Sequence, residues 1–285
     1  MRTGFVVLTY NRPQALLAVL RALAPQCAAA DVVVIADDGS SAQNVRALQD
    51  GLPAFPCKVR HVWHPDVGFT AARARNLGAL HAGCEYVVFL DGDCVPTMHF
   101  ARQHRALAQP GCFLNGSRVL LDASLTRQVE DGLVDLAALR LLDWLPLRAR
   151  GAVNKLTHLV QWPGAPGRLQ PRFAWKGIRS ANFGVWMQDL ETVNGFDETF
   201  QGWGHEDADL VLRLHHAGLV RKNGFLATEV FHLWHRESSR ERESHNRLRV
   251  EERMATRITR AEAGLAEAAG SPAPTVTELN RRWRH

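Results

Sequence analysis

The feature that most constrains this chain is a rhythm: short runs of β-branched and aromatic residues alternate with amphipathic stretches from residue 4 to residue 90. Residues 4–9 (GFVVLT) lead to Pro13, which opens a helix-like stretch to Leu23. Residues 31–36 (DVVVIA) precede a helix over 42–50, and residues 59–63 precede one over 70–81 with Thr70 as its cap. Residues 86–90 (YVVFL) close the series. Proline at the first helical position and threonine before a helix are ordinary start signals. Unbroken apolar strands imply a sheet buried on both faces. Strands alternating with helices imply right-handed crossovers and a largely parallel sheet, whose ligand crevice lies at the carboxyl ends of the strands.

Those ends carry polar clusters: Thr9-Tyr10-Asn11-Arg12, Asp37-Asp38-Gly39-Ser40 and Asp91-Gly92-Asp93. Two carboxylates around one glycine can approach a divalent cation closely, because Gly92 permits unusual backbone angles and removes side-chain bulk. A hard cation held there can bridge diphosphate oxygens. Asp-Gly is also a common turn dipeptide, so a solvated turn is the alternative for this pair and for Asp37-Asp38. An acid at the position of Asp38 can accept hydrogen bonds from a ribose hydroxyl or a base N–H.

Beyond Pro110 the rhythm loosens. A strand is expected over 113–121, then a mixed region over 122–162 and a Pro/Gly-rich loop over 163–171. Regularity returns with a strand over 181–186, a helix over 188–193 and a helix over 206–217 stopped by Gly218. The last of these starts in Trp203-Gly-His-Glu-Asp-Ala-Asp209. Acids at a helix start complement its dipole. The preceding Gly-Trp-Gly adds an indole able to stack on a sugar face, next to a carboxylate able to take a hydroxyl proton. A zinc-protease reading fails, because His205-Glu206 has Asp209 where a second histidine is required. On the β-like segment 230–235, His232 and His235 are expected on opposed faces, with either able to complete a metal site. Residues 238–269 read as a long charged helix, solvated or forming a peripheral membrane contact, followed by a basic tail from Arg281 to His285 that contains Trp283.

Composition narrows the class. The chain has 285 residues, 46% of them hydrophobic, enough for a large core. The Ala/Leu-rich run 14–30 is broken by Arg21 and Pro25, so no membrane span is expected, and residues 4–8 are too short for a secretory signal. A cytoplasmic protein, peripheral at most at the inner membrane surface, is the expectation. The five cysteines are scattered without a Cys-x-x-Cys pair, which argues for buried reduced thiols over disulfides or a zinc knuckle. The net charge of +5 suits phosphate-bearing partners.

Taken together, Val-Leu-Thr-Tyr-Asn-Arg-Pro, Ala-Asp-Asp-Gly-Ser, Gly68-Phe-Thr-Ala-Ala-Arg-Ala-Arg-Asn76 and Phe-Leu-Asp-Gly-Asp93 resemble family 2 glycosyltransferases of the GT-A fold. Asn182-Phe-Gly-Val-Trp, Asn194-Gly-Phe-Asp-Glu and Gly202-Trp-Gly-His-Glu-Asp-Ala-Asp-Leu210 resemble the C-terminal region of β-galactosyltransferases, polypeptide N-acetylgalactosaminyltransferases and chondroitin-type polymerases. The resemblance implies an α/β fold in which a Rossmann-like nucleotide-binding half, with a mostly parallel mixed sheet flanked by helices, is fused to an acceptor-binding half. It implies one catalytic domain over 1–235, divided into 1–110 and 111–235, with 236–285 as a charged helical extension.

By the same resemblance Thr9, Asn11, Arg12, Asp38, Arg75, Asn76, Asp91 and Trp203 meet the nucleotide sugar. Asp93 and His232 hold Mn2+ or Mg2+, with Asp91 assisting and His235 competing for the place of His232. Asp207 is the base and Glu206 its neighbour in the catalytic pair. Where the related galactosyltransferases carry glycine before that pair, this chain has His205. The implied reaction is inverting transfer of a hexose from a UDP-sugar to a hydroxyl of a glycan or lipid-linked acceptor, with no nucleic acid. A nucleotidyltransferase is disfavoured because its Gly-rich loop after the first strand is absent. A non-catalytic sugar- or nucleic-acid-binding protein is disfavoured because every expected carboxylate is present.

Overall fold

The computed structural model describes residues 1–236, 242–270 and 273–280. The first half alternates β1 (Thr3–Thr9), α1 (Pro13–Leu23), β2 (Val32–Asp37), α2 (Ala42–Gly51), β3 (Lys58–Trp63), α3 (Ala71–Leu80) and β4 (Tyr86–Asp91), followed by β5 (Cys94–Pro96) and α4 (Phe100–Leu107). The second half adds β6 (Cys112–Asn115), β7 (Ser117–Leu120), α5 (Ala123–Glu130), α6 (Leu141–Ala149), β8 (Leu169–Gln170), β9 (Asn182–Trp186) and α7 (Met187–Thr192). It continues with α8 (Glu206–His216), β10 (Val220–Asn223), β11 (Glu229–His232), α9 (Glu243–Met254), α10 (Leu265–Ala268) and β12 (Thr275–Glu278).

The strands form a large sheet in the order β12-β3-β2-β1-β4-β9-β6-β10-β8 and a small one in the order β5-β11-β7. Strands β3, β2, β1 and β4 are parallel, as the crossovers require, while β9 runs antiparallel between β4 and β6. The sheet is buried on both faces: Phe5, Val7, Val33 and Ile35 pack with α1 on one side, and Val6, Val34, Phe89 and Phe183 pack with α3 on the other. Period-two alternation along each strand divides its side chains between these two layers. Among the described residues no helix is long and apolar enough to cross a membrane.

Several expectations are corrected. Thr70 stands at the N-cap of α3 as expected, but its hydroxyl makes no capping hydrogen bond and bonds Asp38 instead. The strand expected over 113–121 is two strands in different sheets, separated at Gly116. There the chain passes so close to Asn182 that a Cβ would lie 2.1 Å from its side chain, and Asn182 Nδ2 donates to Ser117 O and Thr228 O at 3.2 and 2.5 Å. Glycine alone fits that crossing.

The long charged helix over 238–269 is likewise broken. Residues 237–241 lie outside the described part, α9 stops at Met254, and α10 is a single turn. The Thr256 hydroxyl donates to Arg253 O at 2.7 Å and accepts from Ile258 N–H at 3.3 Å, giving the backbone a turn in place of further helix. The segment is also no helical appendage: α9 packs Arg249 and Arg253 over the Phe200 ring, and β12 adds an antiparallel edge strand to β3. Residues 281–285, on which the expected membrane contact rested, are outside the described part.

Candidate active site

At the carboxyl ends of β1 and β4 a cleft of about 1370 Å3 opens between the parallel strands, the start of α8 and the segment after β11. Asp91, Gly92 and Asp93 form one wall. Gly92 N–H donates to Leu8 O at 2.7 Å, and a Cβ there would meet the same oxygen at 2.6 Å. Its φ is not positive, so the glycine serves close approach of two strand ends, and the unusual backbone angle expected of it is not used.

Each acid of this wall is paired. Asp91 Oδ1 accepts from Arg75 Nη2 at 2.9 Å, and the other terminal nitrogen of Arg75 reaches Glu206 at 3.2 Å. Asp93 Oδ2 accepts from Arg12 Nη1 at 3.1 Å, while Arg12 Nη2 holds Glu130 at 2.8 Å. The nitrogens of His232 and His235 approach Asp93 at 3.8 and 3.3 Å, with the two rings 5.2 Å apart. The histidines therefore converge on one carboxylate, and the opposed faces expected for them are not observed, because β11 ends at His232 and the chain turns.

The donor set fits a divalent cation. Asp93 offers oxygen, and burial holds the His232 imidazole below its usual range, hence neutral and able to ligate. Cys94 Sγ also falls within 4.8 Å of the Asp93 and His232 ligand atoms. Burial, however, pushes its thiol well up, which withholds the thiolate that a metal would need.

Thr9, Arg12 and Asp38 line the cleft. Asp38 accepts the Thr70 N–H at 3.0 Å and the Thr70 hydroxyl, and sits 3.2 Å from His64 Nε2. Two expected contacts lie elsewhere. Asn11, in the left-handed region at φ 50°, braces the loop before α2, its Oδ1 accepting from Ser41 N–H and from Asn44 Nδ2. Asn76 is fully buried behind the cleft, joining α3 to Phe196 and Glu198. It leaves α3 in a different direction from Arg75 because adjacent helical positions point about 100° apart.

The opposite wall is the start of α8. His205 precedes it at φ 70°, the left-handed conformation that glycine adopts most readily. A non-glycine residue there carries about 1–2 kcal/mol of strain, of the kind that collects at functional sites. Glu206 and Asp207 follow. Burial pushes the Glu206 carboxyl up to about 7, the neighbouring Asp207 charge adds to the rise, and Arg75 opposes it. Asp207 Oδ2 accepts Ser180 N–H at 3.3 Å, which turns the carboxylate toward the cleft. Asp209, third in the acidic run, is structural: it is fully buried and takes Arg213 Nε at 2.8 Å and Arg253 Nη1 at 2.6 Å. Trp203 lines the cleft, on a loop whose Gln201 and Gly204 carbonyls are held by the buried Asn246 of α9.

Tyr10, Arg118, Trp175, Arg179 and Trp234, none of them among the expected site residues, also line the cleft. Trp175 and Arg179 lie in the irregular segment before β9, where no periodicity singles out a residue. The pairing of β7 with β11 brings Leu120 opposite His232 and places Arg118 two residues earlier.

The fold is shared with solved structures. S. aureus TarS (residues 1–349), solved with UDP-GlcNAc, superposes with a TM-score of 0.59 at 14% identity, covering 94% of this chain and 69% of that one. GalNAc-T7, solved with UDP, GalNAc and Mn2+, superposes with a TM-score of 0.56 at 14% identity, covering 88% and 48%. The architecture is thus that of the GT-A glycosyltransferases. In sequence, residues 5–113 match the family model for glycosyl transferase family 2, and residues 167–236 match the model described as the N-terminal domain of galactosyltransferase. Validoxylamine A glucosyltransferase of Streptomyces hygroscopicus subsp. jinggangensis (strain 5008) is 30% identical over 232 residues, 75% of this chain and 51% of that protein. Two family models thus match the chain in succession, glycosyl transferase family 2 over residues 5–113 and a galactosyltransferase-type segment over residues 167–236. The chain spans about half the length of the first curated relatives it matches.

Proposed function

We propose that the protein is an inverting glycosyltransferase that moves a hexose from a UDP-sugar to a hydroxyl of a glycan or lipid-linked acceptor. Residues 1–110 serve the donor and residues 111–235 the acceptor. The observation that carries the reading is the cleft's two facing walls, with Asp91 and Asp93 at the strand ends on one and Asp207 at the start of α8 on the other. In the transfer, the acceptor oxygen attacks the anomeric carbon, the bond from that carbon to the diphosphate breaks, and Asp207 takes the hydroxyl proton. A single displacement inverts the anomeric configuration.

Asp93 and His232 are the residues that hold Mn2+ or Mg2+, with Asp91 beside them and His235 the second candidate nitrogen. The cation, when bound, supplies positive charge to the diphosphate leaving group. Arg12 and Arg75 add fixed positive charge at the same wall, and Asp38 takes the nucleoside. Trp203 offers its indole to the sugar ring.

Titration calorimetry with UDP-glucose, UDP-galactose, UDP-GlcNAc and UDP-GalNAc, with and without Mn2+, tests the reading. At least one of these donors is expected to bind in the presence of the metal. Asp93→Ala is expected to weaken metal-dependent UDP binding by about 10–100-fold. A wild-type protein that binds none of the donors with Mn2+ overturns it.

A further inference from the structure

The charges of the cleft do not cancel evenly. Arg12 and Arg75 are tied to Asp93, Glu130, Asp91 and Glu206, and Arg247 is tied to Glu251 at 2.8 Å. Arg118 and Arg179 also line the cleft, partly buried, yet among the described residues neither guanidinium has a hydrogen-bond or ion-pair partner. Arg179 lies beside Asp207, and Arg118 lies on β7 beside the strand that carries His232. Arg179 immediately precedes Ser180, whose N–H bonds Asp207. Arg118 sits on β7 opposite Val230, two residues before the pair of Leu120 with His232. Burial, and then the charge of Arg118, hold the Arg179 guanidinium below the usual arginine range.

Two like charges brought together and partly desolvated are unfavourable unless a ligand completes them. A guanidinium is built for planar, bidentate contact with phosphate or carboxylate. Trp175 and Trp203 line the same cleft and offer indoles to a sugar ring.

We propose that Arg118 and Arg179 form an anion subsite for the acceptor, so that the protein glycosylates a hydroxyl on a phosphate- or carboxylate-bearing sugar or polyol rather than a neutral one. The assignment rests on the transferase reading above, with Asp207 marking where the acceptor hydroxyl sits. It differs from a donor role because the donor wall already has its own guanidinium groups, Arg12 and Arg75, beside Asp91 and Asp93.

The test uses the full chain saturated with UDP and Mn2+, titrated with glucose, glucose 6-phosphate and glucuronate as probes. The wild type is expected to bind the two anionic probes about tenfold or more tightly than glucose, and Arg118→Gln/Arg179→Gln to bring all three within about twofold of each other. UDP affinity of the double variant, measured in the same cell, shows that the fold persists and is expected to change less than about threefold. Three results overturn the proposal. Equal binding of all three probes to the UDP-loaded wild type, including no binding of any, removes the anion preference. A loss of UDP affinity in the double variant that matches the loss of glucose 6-phosphate assigns the pair to the donor diphosphate. A preference for UDP-glucuronate over UDP-glucose that vanishes in the same variant assigns it to the donor sugar. Failure of UDP itself to bind the wild type is a different result and counts against the transferase reading.

Discussion

The two walls of the cleft are built on different principles. On the donor wall, side chains leave the ends of parallel strands whose register is fixed on both faces, and the carboxylates have cationic partners: Asp91 with Arg75 and Asp93 with Arg12. On the facing side, among the described residues, Asp207 accepts backbone N–H groups from Ser180 and Ala208, and the guanidinium groups of Arg179 beside it and of Arg118 on β7 have no hydrogen-bond or ion-pair partner. Charge balanced within the protein keeps a wall rigid before ligand arrives. Charge left open is available to a substrate, with the proton transfer assigned to it.

The largest effect should therefore come from the open wall. Asp207→Asn keeps the shape and an acceptor oxygen for Ser180 N–H but cannot take a proton. Turnover is expected to fall by about two to four powers of ten, while the UDP dissociation constant stays within about threefold. If UDP binding weakens as much as turnover, Asp207 belongs to the donor wall and the contrast between the walls collapses.

Next in size is the support of the open wall. Arg213 is fully buried in α8, with Nε on Asp209 and its other nitrogens on Val193 O and Gly195 O at 2.6 and 2.8 Å. Arg213→Ala leaves Asp209 buried with only Arg253 and takes the side-chain donor from Gly195 O, while Val193 O keeps the Ala261 N–H at 3.0 Å. A loss of about 3–5 kcal/mol in denaturant unfolding is expected. A loss under about 1 kcal/mol would mean that α8 is held by its apolar contacts alone.

Glu206 sets a third test, because it joins the walls through Arg75. Its folded-state pKa is raised to about 7 from the ordinary 4.5, so burial favours the neutral form despite the arginine. For an acid with a raised pKa, the unfolded chain releases the proton first. The residue's contribution to stability is therefore full below pH 4.5, declines as pH rises to about 7, and is flat above. The stability of the wild type relative to Glu206→Gln should fall by about 1–3 kcal/mol across that window. A relative stability that rises over the same window would show that the ion pair with Arg75 outweighs burial.

The same contrast explains what was legible in the sequence. The parallel half was readable because long apolar strands and helix starts follow period rules, and the chain itself says where each strand ends; Thr9, Arg12, Asp38, Asp91 and Asp93 all lie at such ends and all line the cleft. Asn11 and Asn76 belong to the same motifs, yet they brace a loop and a helix behind the cleft, and a motif does not say which of its members face inward. Asp207 was legible from Gly-Trp-Gly-His-Glu-Asp. Arg118 and Arg179 were not, because their placement follows from the pairing of β7 with β11 and the irregular segment before β9, contacts distant in sequence and without period. The broken helix after residue 254 has a similar cause, a threonine hydroxyl satisfying its own backbone.

The smallest expected effect lies at the rim of the open wall. Arg247 and Glu251 form an i,i+4 pair at 2.8 Å on α9, with side chains 61% and 43% exposed, and Arg247 also lies over the Trp175 ring at 5.7 Å. Such a pair in water contributes about 0.3–0.5 kcal/mol. Glu251→Gln should accordingly shift unfolding by no more than about 0.5 kcal/mol, and less still in about 1 M salt. Its use is at the cleft, where it releases Arg247 from Glu251 and adds a further guanidinium without that acid to the cleft lining. If open charge there draws an anion, the variant should bind glucose 6-phosphate slightly more tightly than the wild type, by up to about threefold at low salt. Unchanged or weaker binding would confine the attraction to Arg118 and Arg179, deep in the cleft, and leave the rim as packing for Trp175.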